Sequence, residues 1–278
     1  MFRGIYEGAS AMLVQEKMLD VVGNNLANVD TAGFRSRVAV NKSFPEVLMD
    51  RIERYTIVDE ALNEELGERK FFPYIRGRVT IGDMSLANVL TEDVMSTQGA
   101  PVQITDNPLD VAIQGEGFFV VQDGNGNEFY TRSGHFQRGV NGELMTHEGE
   151  FVMGDGGRVD LGEARNIFIS ETGQIYGDNE LLGQLQVVSF ASPTYLRQAG
   201  RSLLSQTPNS GAPEPVANLG ITGVQIVGGA LERSNVQVVN EMVRMIEANR
   251  IYEGAGRAVS IQDELTSRMF STLGRTSG

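Results

Sequence analysis

Cysteine is absent from the 278 residues. That excludes disulfides, Cys-ligated zinc, iron–sulfur clusters and thiol nucleophiles. Tryptophan is absent too, and the two histidines, His135 and His147, nearly exclude a multi-histidine metal site. Positive charge is scarce: 23 Lys and Arg against 36 Asp and Glu leave a net charge of −13. A surface of that sign argues against a phosphate-backbone partner, so no nucleic acid is expected. Long hydrophobic runs are also missing. Nothing approaches the roughly 18–20 apolar residues of a membrane span, so no membrane insertion is expected. The start Met1-Phe2-Arg3-Gly4-Ile5-Tyr6-Glu7 lacks the pattern of a secretory signal.

Glycine, by contrast, is plentiful, and its placement divides the chain. Of 33 Gly, 21 fall in residues 98–228, the same stretch that carries 6 Arg against 15 Asp and Glu, a net of −9. Residues 1–35 carry a net of −1, residues 36–97 a net of −3, and residues 229–278 a net of zero. Within the acidic middle, Val111-Ala112-Ile113, Phe118–Val121, Glu128–Thr131, Asn166–Ile169 and Leu185–Val188 read as short strands. Asp123–Asn127, Val140–Glu143 and Gly154–Gly157 read as the turns between them, because Gly and Asn tolerate positive φ. A mainly antiparallel β domain is expected over 98–228.

The ends have a different period. Ile5, Met12, Leu19 and Leu26 stand seven apart, with Val22 and Val29 beside them, which predicts a striped helix closed by Asn28, Asp30 and Gly33. From about Val236 to Leu273 no proline interrupts a second apolar pattern through Val238, Met242, Met245, Ile246, Ala248, Ile251, Ala255, Ala258, Leu265 and Met269. Stripes this narrow suit a helical partner, so the two are expected to pair within the chain as a coiled coil. That pairing leaves Val21, Val29, Val239, Val243 and Phe270 off the main stripes and in want of further neighbours. Residues 36–97 show neither period. The charge-dense Glu60–Lys70 and the proline in Phe71-Phe72-Pro73-Tyr74 suggest an extended arm or hairpin. The fold class expected is therefore α+β, in four segments: helix 1–35, arm 36–97, β domain 98–228 and helix 229–278. Removing residues 1–35 and 232–278 is expected to leave a β domain that melts cooperatively.

Chemistry-bearing candidates are weak. Asp123-Gly124-Asn125-Gly126-Asn127 opens like a calcium loop, but Glu128 and Gly134 stand where Gly and a bidentate carboxylate are needed, so it reads as a hairpin turn. His135 and His147 lack metal-ligand spacing, and a Ser133–His135 pair or paired acids at Glu148 and Glu150 would be all that a β-fold hydrolase could draw on. Gly154–Gly157 precedes no Lys-Ser/Thr and so is no phosphate loop. No catalytic residue, metal site or cofactor is expected.

Gly23-Asn24-Asn25-Leu26-Ala27-Asn28 places three Asn in an otherwise clean helix, where they read either as capping residues of a frayed turn or as amides that set register between helices. Leu19–Arg35, with Asn24-Asn25-Leu26-Ala27-Asn28, Thr31 and Gly33-Phe34-Arg35, closely resembles the signature of bacterial flagellar rod and hook proteins. Gln98-Gly99 and Asn107–Phe119, then Tyr130-Thr131-Arg132-Ser133-Gly134 with Phe136, and finally Gly229–Val236, resemble further motifs of that family in the same order. The start Met1–Tyr6 and the run Asn107-Pro108-Leu109-Asp110 look more like the proximal-side rod protein, whereas the long 36–97 segment is a feature of the distal one.

The resemblance implies a structural subunit, not an enzyme. Such a subunit leaves the cytoplasm through the flagellar type III export apparatus and polymerises with itself and other rod proteins into the periplasmic drive shaft that carries torque to the hook. The assembly face would comprise Ile5, Met12, Leu19, Val22, Asn24, Asn25, Leu26 and Asn28 on the first helix. On the last it would comprise Val238, Met242, Met245, Ile251, Ala255, Ala258 and Leu265. In a free monomer these ends are expected to be poorly ordered. The competing non-enzymatic reading is a soluble coiled-coil adaptor, which would sediment as a discrete dimer.

Overall fold

The structure is a computed structural model that describes residues 3–43, 47–56, 73–84, 88–216, 219–220 and 223–275. The Glu60–Lys70 stretch and Phe71-Phe72, read above as part of an arm, lie outside the described residues. Two compact units are present. The first takes in Met1–Gln15, Asn41–Thr91 and Ile251–Gly278, and the second Glu16–Val40 and Glu92–Arg250.

Two helices bracket the chain: α1, Arg3–Ala27, and α2, Val238–Arg275. Their 25 and 38 residues correspond to lengths of about 38 and 57 Å. Asn28 ends α1 by donating its amide hydrogens back to Asn24, the backbone N–H at 3.2 Å and the side-chain Nδ2 at 2.9 Å. Gly33 completes the exit in the left-handed region, at φ +69°. α2 begins two residues later than the sequence suggests. The Ser234 hydroxyl accepts the Val236 N–H at 3.3 Å, which holds the chain in a turn until Gln237.

The inner face of α2 is set by spacing alone. Val238, Glu241, Met245, Ala248, Tyr252, Ala255, Val259, Gln262 and Thr266 alternate three and four apart, and all are buried or half-buried. Across the helix, Val239, Val243, Ile246 and Ile261 are exposed at 72, 49, 54 and 58%. In the first unit the two helices run antiparallel and close: Gly4 faces Gln262, Gly8 faces Ala255 and Val259, and Met12 faces Gly256. A Cβ added to Gly8 would sit 2.5 Å from Val259 Cγ2. A side chain there requires Val259 to move.

Residues 36–97 supply the strands β1 (Arg37–Ser43), β2 (Val47–Thr56), β3 (Pro73–Met84) and β4 (Asn88–Met95). β2 and β3 pair antiparallel from Val47↔Met84 to Thr56↔Pro73, and β1 pairs with β4, so the hairpin alternative for this stretch is the one observed.

The second unit holds the antiparallel β structure. Its strands are β5 (Val102–Ile104), β6 (Val111–Gln114), β7 (Phe118–Gln122), β8 (Glu128–Thr131), β9 (Phe136–Arg138), β10 (Leu144–Thr146), β11 (Phe151–Gly154) and β12 (Gly157–Arg158). Then come β13 (Ile167–Ile169), β14 (Gln174–Gly177), β15 (Glu180–Gln184), β16 (Val187–Ser189), β17 (Arg197–Gln198), β18 (Leu203–Ser205), β19 (Glu214–Pro215), β20 (Gln225–Gly228) and β21 (Ala230–Glu232). The largest sheet runs β17-β18-β8-β7-β11-β10-β9. β7 is buried on both faces, which explains its uninterrupted Phe-Phe-Val-Val. Phe119 and Val121 enter one core cluster with Phe136, Leu144, Ile175 and Ile226, while Phe118 and Val120 enter another with Tyr130, Phe190 and Leu196. Phe119 meets Phe136 edge-on at 5.2 Å.

The strand expected over Leu185–Val188 is broken. Leu185 makes a bridge to Gly154 and donates to Gly173 O at 2.8 Å, so regular pairing resumes only at Val187. The turns read from Gly and Asn are observed. In the Asp123–Asn127 loop the Asp123 Oδ1 accepts the backbone N–H groups of Asn125 and Asn127 at 2.8 and 2.9 Å. Asp178 does the same for Arg165 and Asn166 at 3.0 and 3.1 Å.

Two outcomes follow. Gly8→Leu is expected to separate the helices in the first unit and lower helical circular dichroism, while Gly8→Ala, which asks only that Val259 shift, is milder. Hydrogen bonds from Asn127, in side chain and backbone, hold the Asp123 carboxyl below its ordinary 3.8, and backbone donors from Arg165 and Asn166 hold Asp178 below the same value. A depressed carboxyl stabilises the fold above its unfolded value and loses that contribution as pH falls through the folded value. Melting temperature should therefore fall more steeply below about pH 4 in the parent than in an Asp123→Asn/Asp178→Asn double variant.

Candidate functional site

The helix faces named from the sequence separate in the structure. On α1, Val22, Asn25 and Asn28 are buried, Ile5, Met12, Leu19 and Leu26 are half-buried, and Asn24 is exposed. On α2, Val238, Met245 and Ala255 lie on the inner face, whereas Met242, Ile251, Ala258 and Leu265 are exposed. The sequence missed Val14, which is almost fully buried, because Glu7 and Asn28 on its seven-residue spacing are polar; Ala248, read as part of the apolar pattern but not of the assembly face, is also almost fully buried. Among the exposed residues, Val239, Val243 and Phe270 are those that the sequence left without neighbours.

Asn25 is turned wholly into its own chain. Its Oδ1 accepts the Arg37 N–H at 2.9 Å, and its Nδ2 donates to Arg37 O at 2.8 Å and to Glu241 Oε2 at 3.3 Å. The amide thus pairs like a strand with the start of β1 and reaches the first turn of α2. Of the three Asn, this one joins the end of α1 to β1 and to the first turn of α2 inside the second unit.

The motifs that carried the family resemblance lie far apart in sequence and meet in space. Gly33 packs so tightly on the Arg132–Ser133 backbone that a Cβ would lie 2.2 Å from Ser133 N, and its N–H donates to Glu232 O at 2.7 Å. Arg35 Nη2 is 2.5 Å from Glu232 Oε1, and Arg132 Nη1 is 3.7 Å from Glu232 Oε2. All three side chains are more than nine-tenths buried. Arg35 also donates to Gln98 O, and Arg132 to Ile113 O at 3.3 Å and Gly115 O at 2.5 Å. Asn235 closes the ring: its Oδ1 accepts the Ser36 N–H at 2.7 Å and its Nδ2 donates to Gln98 O at 3.0 Å. Burial carries the Arg132 guanidinium down to about 10, against the pull of Glu232, which leaves it charged at neutral pH.

Asp110 organises the second motif. Its carboxylate accepts Thr105 Oγ1 at 2.7 Å and Asn107 Nδ2 at 3.1 Å, and it faces His135 Nδ1 at 2.9 Å. The His135 and His147 rings lie 5.4 Å apart between centres, tilted 49° to one another. The sequence reads His135 as an exposed strand residue, and it is exposed, in a β-bridge to Asp110, whose carboxylate 25 residues earlier also meets its ring. Glu150 accepts the Thr146 hydroxyl, and Glu148 is exposed, with burial by its neighbours the first of the influences that raise its carboxyl, followed by Glu150. Among the described residues no group of three or more His, Cys, Asp or Glu is placed to hold a metal ion.

The ion cluster also changes one expectation. A cut that removes 1–35 and 232–278 takes away Arg35, Glu232 and part of β21, the antiparallel partner of β5, and leaves Arg132 buried without a counter-ion.

Comparison with known proteins accounts for the convergence. Residues 5–35 match the flagella basal body rod protein family, residues 112–177 the flagellar hook protein FlgE/F/G D1 domain, and residues 227–272 the flagellar basal body rod FlgEFG protein C-terminal region. The chain is 31% identical over 274 residues to the flagellar basal-body rod protein FlgG of Buchnera aphidicola from Acyrthosiphon pisum, covering 97% of this chain and 99% of that one. To FlgG of Bacillus subtilis it is 28% identical, covering 97 and 98%. To the rod protein FlgF of Caulobacter vibrioides it is 30% identical, covering 99% of both. With the terminal helices, the β structure and the motifs joining them all accounted for, the chain belongs to the flagellar basal-body rod protein family, a family of structural proteins of the flagellum and not of enzymes.

Proposed function

We propose that this rod protein polymerises through its terminal helices, with the outer face of α2 as the surface that meets neighbouring subunits. One observation carries the reading. One side of α2 is covered within the chain, while on the opposite side Val239, Val243, Ile246 and Ile261 stand exposed between charged residues such as Arg250, Arg257 and Glu264. Large apolar side chains left exposed opposite a covered face mark an interaction surface. Repeated head-to-tail contacts of this kind build an open filament without closing a ring. The near-neutral terminal segments suit dense packing among copies, and the −9 middle suits an outer, solvated surface. The intrachain helix pair and the neighbours' helices would together form the coiled coil expected from the stripes.

In this reading the chain passes the type III export apparatus unfolded and joins itself and other rod proteins in the periplasmic shaft that carries torque to the hook. On axial position we favour the proximal, FlgF-like place, on the strength of the start Met1–Tyr6 and of Asn107–Asp110. The second reading is a distal, FlgG-like place, favoured by the long 36–97 segment and by the FlgG relatives at 28–31% identity. Complementation decides between them: restoring swimming to a strain lacking FlgF supports the first, and to one lacking FlgG the second.

Ile246→Asp and Ile261→Asp are expected to leave the monomer's melting within about 0.5 kcal/mol of the parent, since both side chains are exposed. Burying a carboxylate between subunits costs several kcal/mol at every addition. Cells should therefore hold normal protein but complete no rod. Leu19→Asp and Leu26→Asp should also block assembly, with some loss of monomer stability because both positions are half-buried. Normal swimming of the Ile246→Asp and Ile261→Asp strains would remove the outer face of α2 from the interface.

A further inference from the structure

Glu232 is the only carboxylate within ion-pair distance of both Arg35 and Arg132 among the described residues. Each arginine comes from a different part of the chain. Arg35 lies eight residues past the end of α1, Arg132 lies just after β8, and Glu232 ends β21 six residues before α2. Backbone bonds run through the same place: Gly33 N–H to Glu232 O at 2.7 Å, Ser96 N–H to Ser36 O at 2.8 Å and Arg233 N–H to Pro101 O at 2.9 Å. Two positive charges thus share one negative charge out of water, and the cluster is incompletely paired. Glu232 Oε2 and Arg132 Nε make no hydrogen bond.

A cluster with that imbalance is a poor source of stability, because desolvation opposes the ionic attraction. It is a good source of placement. Glu232 holds Arg35 at 2.5 Å and stands 3.7 Å from Arg132, and that arrangement fixes where the chain leaves α1 and where it enters α2. We propose that Glu232 is a positioning residue for assembly: its charge aligns the adjoining ends of the two helices that the polymer uses. This inference rests on the helix-interface reading above.

The experiment separates charge from shape in the full chain. Glu232→Gln keeps the shape and removes the charge; Glu232→Asp keeps the charge and shortens the reach. Amide exchange at Ser36, whose N–H donates to Asn235 Oδ1, reads the cluster, and exchange at Leu144 and Leu185, which donate to Val159 O and Gly173 O, reads the sheet. In Glu232→Gln we expect at least tenfold faster exchange at Ser36, unchanged protection at Leu144 and Leu185, and loss of swimming. Glu232→Asp should be intermediate in both exchange and swimming. Unchanged exchange at Ser36 in Glu232→Gln, or normal swimming of that strain, overturns the proposal. So does a loss of sheet protection, which would make Glu232 a folding residue, or a Gln variant that outperforms Asp, which would make shape the requirement. The Ile246→Asp strain is run beside them. If it swims normally, the interface reading has failed whatever Glu232 does; if it does not swim and Glu232→Gln does, only the present inference has failed.

Discussion

Two arginines and one glutamate, withdrawn from water together, tie the ends of this chain to its middle. The free energy of such a cluster is close to balanced, since each charge has lost its hydration and only the mutual attraction replaces it. Its value lies in what it forbids. With Glu232 absent, Arg35 and Arg132 lose the carboxylate they share; with Arg132 displaced the Gly115 carbonyl loses its guanidinium donor, and with Arg35 displaced the Gln98 carbonyl keeps Asn235 Nδ2 alone of its two side-chain donors. The backbone bonds among residues 33–36, 96–101 and 232–235 then inherit a fixed geometry from three side chains.

Around that tie the chain separates tasks by burial pattern. β7, buried on both faces, lies between the two core clusters of the second unit and contributes side chains to each. α2 is the opposite case, with one satisfied face and one bare face on the same cylinder. A protein whose longest helix leaves Val239, Val243, Ile246 and Ile261 uncovered offers a surface for others to complete. That contrast, more than any single residue, separates the acidic solvated middle from the nearly neutral ends.

Much of this was legible in the sequence, for reasons that can be named. Seven-residue spacing exposed α1 and α2, and Gly and Asn at turn positions exposed the hairpins at Asp123–Asn127 and Gly154–Gly157. Two opposed stripes on one helix were harder to read, because Met242, Ile251 and Leu265 satisfy a helical period as well as Met245 and Ala255 do. Periodicity says that a helix is striped and not which stripe its own chain covers. Glu232, Arg132 and Asp110 carried a hint, as charged residues inside otherwise apolar or motif-bearing strands. Their partners stand 25 to almost 200 residues away in the chain, and no local pattern encodes such a meeting. The same holds for Asn25, whose amide pairs with Arg37 across a turn that sequence places but does not orient.

The close antiparallel run of α1 against α2 in the first unit has a consequence for how such chains can change length. Gly4 meets Gln262, Gly8 meets Val259 and Met12 meets Gly256, so a step along one helix is matched by a step back along the other. A one-residue insertion upstream in α1 would turn Gly8 about 100° away from Val259 and bring a side chain with a Cβ into its place. Deletions and insertions in either helix are therefore tolerated chiefly in whole heptads, and the two helices must gain or lose them together. Loops such as the exposed hairpin tip at Val140 answer to no such arithmetic, so length variation among related chains should gather there and spare the paired glycines.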